Sequence, residues 1–186
     1  MADEVWLVRH GATEWSVAGR HTSTTDLPLL PEGEEGARAL APRLADVGFA
    51  LVLTSPRQRA RRTAELAGFP DAEVEPGLVE WDYGDYEGVT TATIRETVPG
   101  WSVWTHPVPG GETAEEVAAR IDAVLARLAG VEGRALLFAH GHALPAVAAR
   151  WLGLPVSEGR HLPLDTTTIS VLGRRRDDAV VTRWNA

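Results

Sequence analysis

The chain of 186 residues has 26 acidic and 18 basic side chains and a net charge of −8, and its length suits a single domain over residues 1–186. It contains no Cys, and every basic residue is Arg, so Lys is absent as well. These absences exclude thiolate nucleophiles, disulfides, zinc fingers, Schiff-base chemistry and phosphate loops that end in Gly-Lys.

The first third of the chain predicts two buried strands and two helices. A continuous apolar run over residues 5–8 is typical of a buried strand. Apolar residues recur at helical spacing over residues 33–47, and a second apolar run over residues 50–53 predicts another strand. Ser55 is then predicted to cap a helix in which Pro56 takes the first position.

The rest of the chain continues this alternation and closes with a hairpin. A capping box formed by Thr113 and Glu116 predicts the start of a long helix. The remaining elements are predicted from apolar spacing and turn residues. In chain order they are a helix over 90–97, the long helix over 113–128, a strand over 135–139, a helix over 143–152 and a hairpin of strands 168–172 and 179–182 around a turn at 174–178.

Apolar strands that alternate with helices predict an α/β fold. We expect three layers, α/β/α, with a mostly parallel central sheet covered on both faces. Ligands of such sheets bind beyond the carboxyl ends of the strands. Three predicted strands end in polar clusters, which are Arg9-His10-Gly11, Thr54-Ser55-Pro56 followed by Arg59, and His140-Gly141-His142.

These clusters suit an anionic ligand. Arg9 and Arg59 offer permanent cations with the fork geometry that matches a phosphate dianion. Gly11 and Gly141 would let backbone N–H groups approach the ligand closely. Helices predicted to begin at two of the clusters would add positive dipole ends. The sequence therefore predicts a locally cationic site in an acidic protein.

The two histidines at these strand ends point to phosphoryl transfer. A neutral imidazole attacks phosphorus through one ring nitrogen if the other donates to a fixed acceptor, and His10 is placed for this. Water would then hydrolyse the phosphohistidine. The arginines and His140 would stabilise charge on the transferring oxygens. A carboxylic acid is still needed to protonate the leaving alkoxide.

Four segments resemble, in order, the motifs of the histidine phosphatase superfamily, which has the phosphoglycerate mutase-like fold. The segments are LVRHGATEW at residues 7–15, SPRQRARRTA at 55–64, EWDYGDYEG at 80–88 and AHGH at 139–142. The resemblance extends over residues 4–172. Segments 80–88 and 138–144 are similar to a smaller group that includes mycobacterial-type acid phosphatases and the yeast-type sedoheptulose-1,7-bisphosphatase.

The resemblance implies a metal-independent phosphatase, without a cofactor, that hydrolyses small phosphomonoesters such as sugar or glycerate phosphates through a phosphohistidine. In this family pattern Glu80 is the proton donor. The residues expected to be catalytic are Arg9, His10, Arg59, Glu80 and His140. Those expected to bind substrate are Gly11, Ser16, Thr22, Ser23, Tyr83 and Gly141.

The sequence departs from the family pattern at three positions. Ser16 stands where many members have a phosphate-contacting Asn, which predicts a shorter or water-mediated contact. Ser23 replaces a common Gly, and His142 replaces the Gly usual after the second His-Gly. These departures make the identity of the substrate less certain than the type of reaction. Asp82 and Glu87 are rivals of Glu80 for the role of acid.

Several functions stay open at this point. The same intermediate serves phosphoglycerate mutases, and an inactive phosphate-binding module is a further alternative. The mutases carry insertions and a C-terminal tail, whereas this sequence ends two residues after Trp184, which favours hydrolysis. A sugar bisphosphatase would need a second cationic subsite, which the sequence does not locate, since Pro145 stands where a basic residue could have reached the pocket.

The expected partner is a small phosphorylated substrate, and a homodimer is left open. Net charge −8 argues against nucleic-acid binding because an acidic protein repels phosphate backbones. The first residues, Met1-Ala2-Asp3-Glu4, are acidic where a signal peptide would be basic. No apolar run approaches the ~20 residues that span a bilayer, so we expect a cytoplasmic protein without a membrane partner.

Overall fold

The computed structural model describes residues 2–176 and 178–186. Its strands are β1 (Glu4–Arg9), β2 (Phe49–Thr54), β3 (Glu73–Val74), β4 (Arg134–Ala139), β5 (Ile169–Arg175) and β6 (Asp178–Arg183). They form one sheet in the order β3-β2-β4-β1-β5-β6. Strands β1 to β4 run parallel to one another, β5 is antiparallel to β1, and β6 is antiparallel to β5.

The helices lie on the two faces of this sheet. The α-helices are α1 (Glu14–Val17), α2 (Pro31–Leu44), α3 (Gln58–Leu66), α4 (Thr91–Thr97), α5 (Ala114–Leu128) and α6 (Ala143–Trp151). Three short 3₁₀ helices cover Pro76–Leu78, Gly84–Tyr86 and Val156–His161. None of the helices in the described part of the chain has the length and apolar character needed to cross a bilayer.

Two apolar cores separate the layers. One contains the buried faces of α5 and α6 together with Val5 and Leu7 of β1. The other contains the buried faces of α2 and α3 together with Val8 of the same strand. Strands with both faces covered have continuous apolar sequences, as β1 and β4 do. The predicted three-layer α/β/α fold with a mostly parallel sheet is therefore confirmed.

The carboxyl ends of three strands lie side by side. Strand β4 lies between β1 and β2, with Arg9 paired to Ala139 and Thr54 paired to Phe138. All three strands run in the same direction, so the polar residues that follow them meet at one edge of the sheet. This edge holds the site that the sequence predicts.

Most predicted elements are confirmed with small changes in their bounds. The capping box of Thr113 and Glu116 begins α5, as expected. Thr90 caps α4 through its side chain. The predicted helix 33–47 begins earlier and ends earlier than expected, because Pro31 takes its first position and the helix stops at Leu44. Asp177, in the predicted hairpin turn, lies outside the described residues.

The prediction that Ser55 caps α3 is wrong. The helix begins at Gln58, after Arg57 in extended conformation with φ −68° and ψ 136°. The Ser55 hydroxyl instead lies 2.7 Å from Nε2 of His140, which ends the neighbouring strand. The carboxylate of Asp26 accepts the N–H of Gln58 at 2.9 Å. The N-terminus of α3 is thus occupied by a protein carboxylate and is not directed at a ligand.

Candidate active site

A cavity of about 380 Å³ opens at the carboxyl edge of the sheet. Its inner part is lined by Arg9, His10, Glu80, Tyr83 and Gly141. They come from β1, from the loop that contains the short helix Gly84–Tyr86, and from the loop between β4 and α6. The sheet thus brings together residues from both ends of the chain.

His10 is held in one tautomer. Its Nδ1 lies 2.8 Å from the carbonyl oxygen of Gly11, and a carbonyl can only accept, so Nδ1 holds the proton and donates it. The lone pair therefore lies on Nε2. Burial, and then the charges of Arg9 and Arg59, lower the pKa of His10 well below its usual value. The imidazole is neutral at physiological pH, as a nucleophile must be.

His140 lies beside His10, with ring centroids 5.2 Å apart. The Ser55 hydroxyl oxygen accepts the N–H of Arg57 at 3.3 Å and lies 2.7 Å from Nε2 of His140. Nδ1 of His140 is buried without a partner among the described residues. Burial and the charge of Arg59 lower the pKa of His140, so this ring is also neutral.

Arg9 is fixed by the backbone around it. Its Nη1 donates to the carbonyl of Leu164 at 2.5 Å, and its Nε is buried without a partner in the described chain. A Cβ on Gly141 would lie 3.1 Å from Cζ of Arg9, closer than ordinary contact. Glycine at this position therefore allows the guanidinium to lie against the backbone of the loop after β4.

Arg59 is fully buried at the start of α3. Its two terminal nitrogens donate to the carbonyls of Thr25 at 3.1 Å and Thr22 at 3.0 Å, and Nε has no partner within the described residues. Burial lowers its pKa from the usual high value of arginine. A buried guanidinium with an unmet donor is costly unless an anion completes its bonds. It does not line the open cavity itself but lies next to it.

Glu80 is buried at the N-terminus of α6. Its carboxylate accepts backbone N–H groups of Trp81 at 2.9 Å, His142 at 3.0 Å and Ala143 at 2.8 Å. The hydroxyl of Tyr83 lies 2.5 Å from Nδ1 of His142. The positive end of α6, expected to face a ligand, is therefore satisfied by Glu80, which itself lines the cavity.

The rival acids Asp82 and Glu87 serve the surrounding loops. Asp82 accepts the N–H of Gly84 at 2.9 Å. Glu87 accepts the N–H groups of Ser23 at 3.0 Å and Thr25 at 2.9 Å, so it holds the loop that follows α1. Neither carboxylate lines the cavity. Their placement leaves Glu80 as the carboxylate that faces the histidines.

Two of the residues expected to bind substrate lie away from the cavity. The N–H of Gly11 donates to Oγ1 of Thr63, and a Cβ there would lie 2.4 Å from the carbonyl oxygen of Gly33. Gly11 thus permits close packing of β1 against α2 and offers no donor to a ligand. Ser23 is buried, and its hydroxyl donates to Glu87 at 2.6 Å. These placements correct the expectation for both residues.

The other four expected substrate-binding residues, Ser16, Thr22, Tyr83 and Gly141, do line the cavity. The hydroxyl of Ser16, however, accepts the N–H of Thr13 at 2.8 Å and donates to its carbonyl at 3.0 Å. It caps α1 and is not free to replace the phosphate-contacting Asn of the family pattern. Ser16 thus lines the cavity, but its hydroxyl has a structural role.

The outer wall of the cavity contains His21 and Trp104, which are not among the residues that the sequence predicts to bind substrate. His21 lies with its ring centroid 4.5 Å from that of Tyr83, and its position after the first motif was the available signal. Trp104 lines the cavity with its ring 5.2 Å from that of His142, whereas Trp101 belongs to the core.

Acid should destabilise the protein, and His21 should account for part of the effect. Burial lowers its pKa from 6.5 to about 4, so between these values the unfolded chain binds a proton that the folded protein does not. Stability therefore rises with pH through this window and falls as pH is lowered, by about 3 kcal/mol for this residue. Urea unfolding between pH 4 and 7 should show a smaller pH slope for His21→Gln.

The matched control for this measurement is His161→Gln, because His161 is exposed. Its slope should equal that of the unchanged protein. An unchanged slope in His21→Gln would show that the His21 ring does not stay neutral in the folded state. His10, His140 and His142, whose pKa values are also lowered by burial, should keep some acid sensitivity in both variants.

No group of three or more His, Asp or Glu side chains in residues 2–176 and 178–186 is arranged to hold a metal ion. Arg9, Arg59 and His140 instead each have a buried side-chain nitrogen without a hydrogen-bond partner among the described residues. The site is thus a cationic pocket with one carboxylate, built from three adjacent strand ends. Metal independence itself stays a prediction.

A parallel-sheet α/β protein with two histidines, two arginines and a glutamate at its carboxyl edge has the pattern of a histidine phosphatase. The chain matches the model of the histidine phosphatase superfamily, branch 1, over residues 5–186. It belongs to this superfamily.

Two curated proteins and one solved structure show how similar its relatives are. An acid phosphatase of Mycobacterium tuberculosis is 43% identical over 171 residues, which cover 90% of this chain and 84% of that protein. A sedoheptulose 1,7-bisphosphatase of Saccharomyces cerevisiae is 37% identical over 185 residues, which cover 82% of this chain and 68% of that protein. The structure of an open-reading-frame product from Mycobacterium tuberculosis matches with a TM-score of 0.95 and 38% identity, over 100% of this chain and 98% of that one.

Proposed function

We propose that this protein is a metal-independent phosphatase that hydrolyses small phosphomonoesters, such as sugar or glycerate phosphates, through a phosphohistidine on His10. The observation that carries the proposal is the state of this ring. Its Nδ1–H is fixed on the carbonyl of Gly11, and its neutral Nε2 belongs to a residue that lines a cationic cavity. The phosphatase names of the two curated relatives support the same reaction class.

Substrate binding would complete the unmet donors of the site. The Nε atoms of Arg9 and Arg59 and the Nδ1 atom of His140 are buried without partners in the described chain. A phosphate dianion accepts from several donors at once, and arginine suits it by geometry and permanent charge. Bound there, the phosphorus would lie in front of Nε2 of His10.

The first chemical step forms a bond from Nε2 of His10 to phosphorus and breaks the bond from phosphorus to the ester oxygen. Glu80 gives its proton to this leaving oxygen. Backbone N–H groups of Trp81, His142 and Ala143 hold the Glu80 carboxyl group in place for this transfer. Arg9, Arg59 and His140 stabilise the charge that develops on the phosphoryl oxygens.

In the second step Glu80 acts as a base instead of an acid. The Glu80 carboxylate takes a proton from water, the water oxygen attacks phosphorus, and the bond to Nε2 breaks to release inorganic phosphate. His10 returns to its neutral form with Nδ1–H still on the Gly11 carbonyl. Ser55 acts as a positioning residue, since its hydroxyl lies 2.7 Å from Nε2 of His140.

Product analysis tests this proposal. The purified protein with EDTA should release inorganic phosphate from p-nitrophenyl phosphate and from 3-phosphoglycerate. Interconversion of 2- and 3-phosphoglycerate with 2,3-bisphosphoglycerate present, and no net phosphate release, would establish a mutase instead. Tight binding of orthovanadate without turnover of any ester would establish a binding module. Activity that EDTA removes would overturn metal independence.

A further inference from the structure

The outer part of the cavity contains two arginines that the proposed reaction does not use, Arg20 and Arg160. We propose that they form a second anion subsite, so that the substrates are small phosphomonoesters bearing a second anionic group, a carboxylate or another phosphate. This inference rests on the proposed function, because it assigns the far end of the same substrate. A sugar bisphosphatase would need such a subsite, and the sequence alone does not show where it lies.

Arg20 is held in place by its backbone. Gly19, with φ of 66°, turns the chain directly before it. The N–H of Arg20 donates to the carbonyl of Trp15 at 2.9 Å, and a β-bridge joins Arg20 to Thr90. Its side chain is exposed and has no ion pair or hydrogen bond with the described residues. A fixed backbone and a free guanidinium suit an arginine that binds a ligand.

Arg160 reaches the same cavity from the 3₁₀ helix Val156–His161. Its Nη1 bonds Glu158 at 2.9 Å and the carbonyl of Ser157 at 3.2 Å, both within that helix. A Cβ on Gly159 would lie 2.6 Å from the ring of Trp104, so the helix is seated closely against the cavity wall. One terminal nitrogen of Arg160 is engaged, and its remaining donors are available to a ligand.

The charges of the lining favour a dianionic or trianionic ligand. The charged side chains that line the cavity are Arg9, Arg20, Arg160 and Glu80, three cations and one acid. Arg9 serves the transferred phosphate, which leaves for another group the unpaired Arg20 and the remaining donors of Arg160, whose charge is partly offset by Glu158. The whole chain has a net charge of −8, so this concentration of positive charge is local. A cleft of one sign raises the local concentration of ligands of the opposite sign.

The space between the two ends suits a short hydroxylated chain. His21, Tyr83, Thr91 and Trp104 line it, and they combine polar groups with aromatic surface. A volume of about 380 Å³ lies within the range of about 300–1,000 Å³ usual for small-molecule sites. The cavity is therefore suited to a compact phosphorylated acid or sugar rather than to a phosphoprotein.

Matched substrate pairs test the subsite. For a carboxylate the pair is 3-phosphoglycerate and glycerol 3-phosphate, and for a second phosphate it is fructose 1,6-bisphosphate and fructose 6-phosphate. The unchanged protein should show a kcat/KM about tenfold to hundredfold higher for the more anionic member of at least one pair. Hydrogen bonds to charged groups usually change affinity by about this factor. In the double variant Arg20→Met/Arg160→Met, this ratio should fall towards one, mainly through KM.

The control is Arg175→Met, at the end of β5 opposite to the site, which should keep the ratio unchanged. Ratios near one in the unchanged protein, or a double variant that keeps the original ratio, would overturn the subsite. If no ester is hydrolysed at all, the proposed function fails separately. Calorimetric binding of 3-phosphoglycerate and glycerol 3-phosphate then still measures the subsite, and equal dissociation constants would overturn it.

Discussion

His10→Ala should lower hydrolysis of p-nitrophenyl phosphate by about 10⁴-fold or more, because the variant has no group to attack phosphorus. The neighbouring cations would still bind the ester but could not form the intermediate. The unchanged protein should be incubated with substrate labelled in its phosphate and then denatured rapidly without acid. It should then contain covalently bound phosphate that is labile in acid and stable in alkali. The variant should contain none.

The matched control is His161→Ala, since His161 is an exposed histidine on the helix Val156–His161. It should keep full activity and the labelled intermediate. Orthovanadate inhibition and thermal unfolding would show that the His10 variant is folded. Substantial turnover by His10→Ala would mean that another group is the nucleophile, and the reaction scheme would be wrong at its first step.

Glu80→Gln should distinguish substrates by their leaving groups. An alkyl phosphate such as glycerol 3-phosphate needs a proton on the departing oxygen, so its kcat/KM should fall by about 10²–10⁴-fold. The p-nitrophenolate ion leaves without protonation, and its kcat/KM should fall much less. The glutamine Oε1 can still accept the N–H groups of Trp81 and Ala143, which preserves the local fold.

Glu115→Gln on the exposed first turn of α5 is the control and should leave both substrates unaffected. A plot of log kcat/KM against leaving-group pKa should be steeper for Glu80→Gln than for the control. Equal losses on alkyl and aryl esters would mean that Glu80 positions the loop and α6 instead of donating the proton. Asp82 and Glu87 would then return as candidates.

The sheet could be predicted because its strands are buried on both faces. Residues 5–8 and 135–139 are continuous apolar runs, and that composition is dictated by burial alone. The order β2-β4-β1 follows from pairings between distant segments, which no local pattern contains. The cap of α3 failed for the same reason. Ser55 has the residue type of a helix cap, but a histidine of the next strand uses its hydroxyl.

By itself, the sequence determined the protein family, because motif residues such as Arg9, His10 and His140 directly follow or end predicted strands. The absence of Cys and Lys excluded thiolate and Schiff-base chemistry. Only the tertiary structure decided how these groups are tuned. The contact between Ser55 and His140, the hydrogen bonds of Glu80 to the N-terminus of α6 and the presence of Arg20 and Arg160 in one cavity each depend on residues far apart in the chain. Burial and orientation arise from such contacts, and they set protonation state and ligand fit.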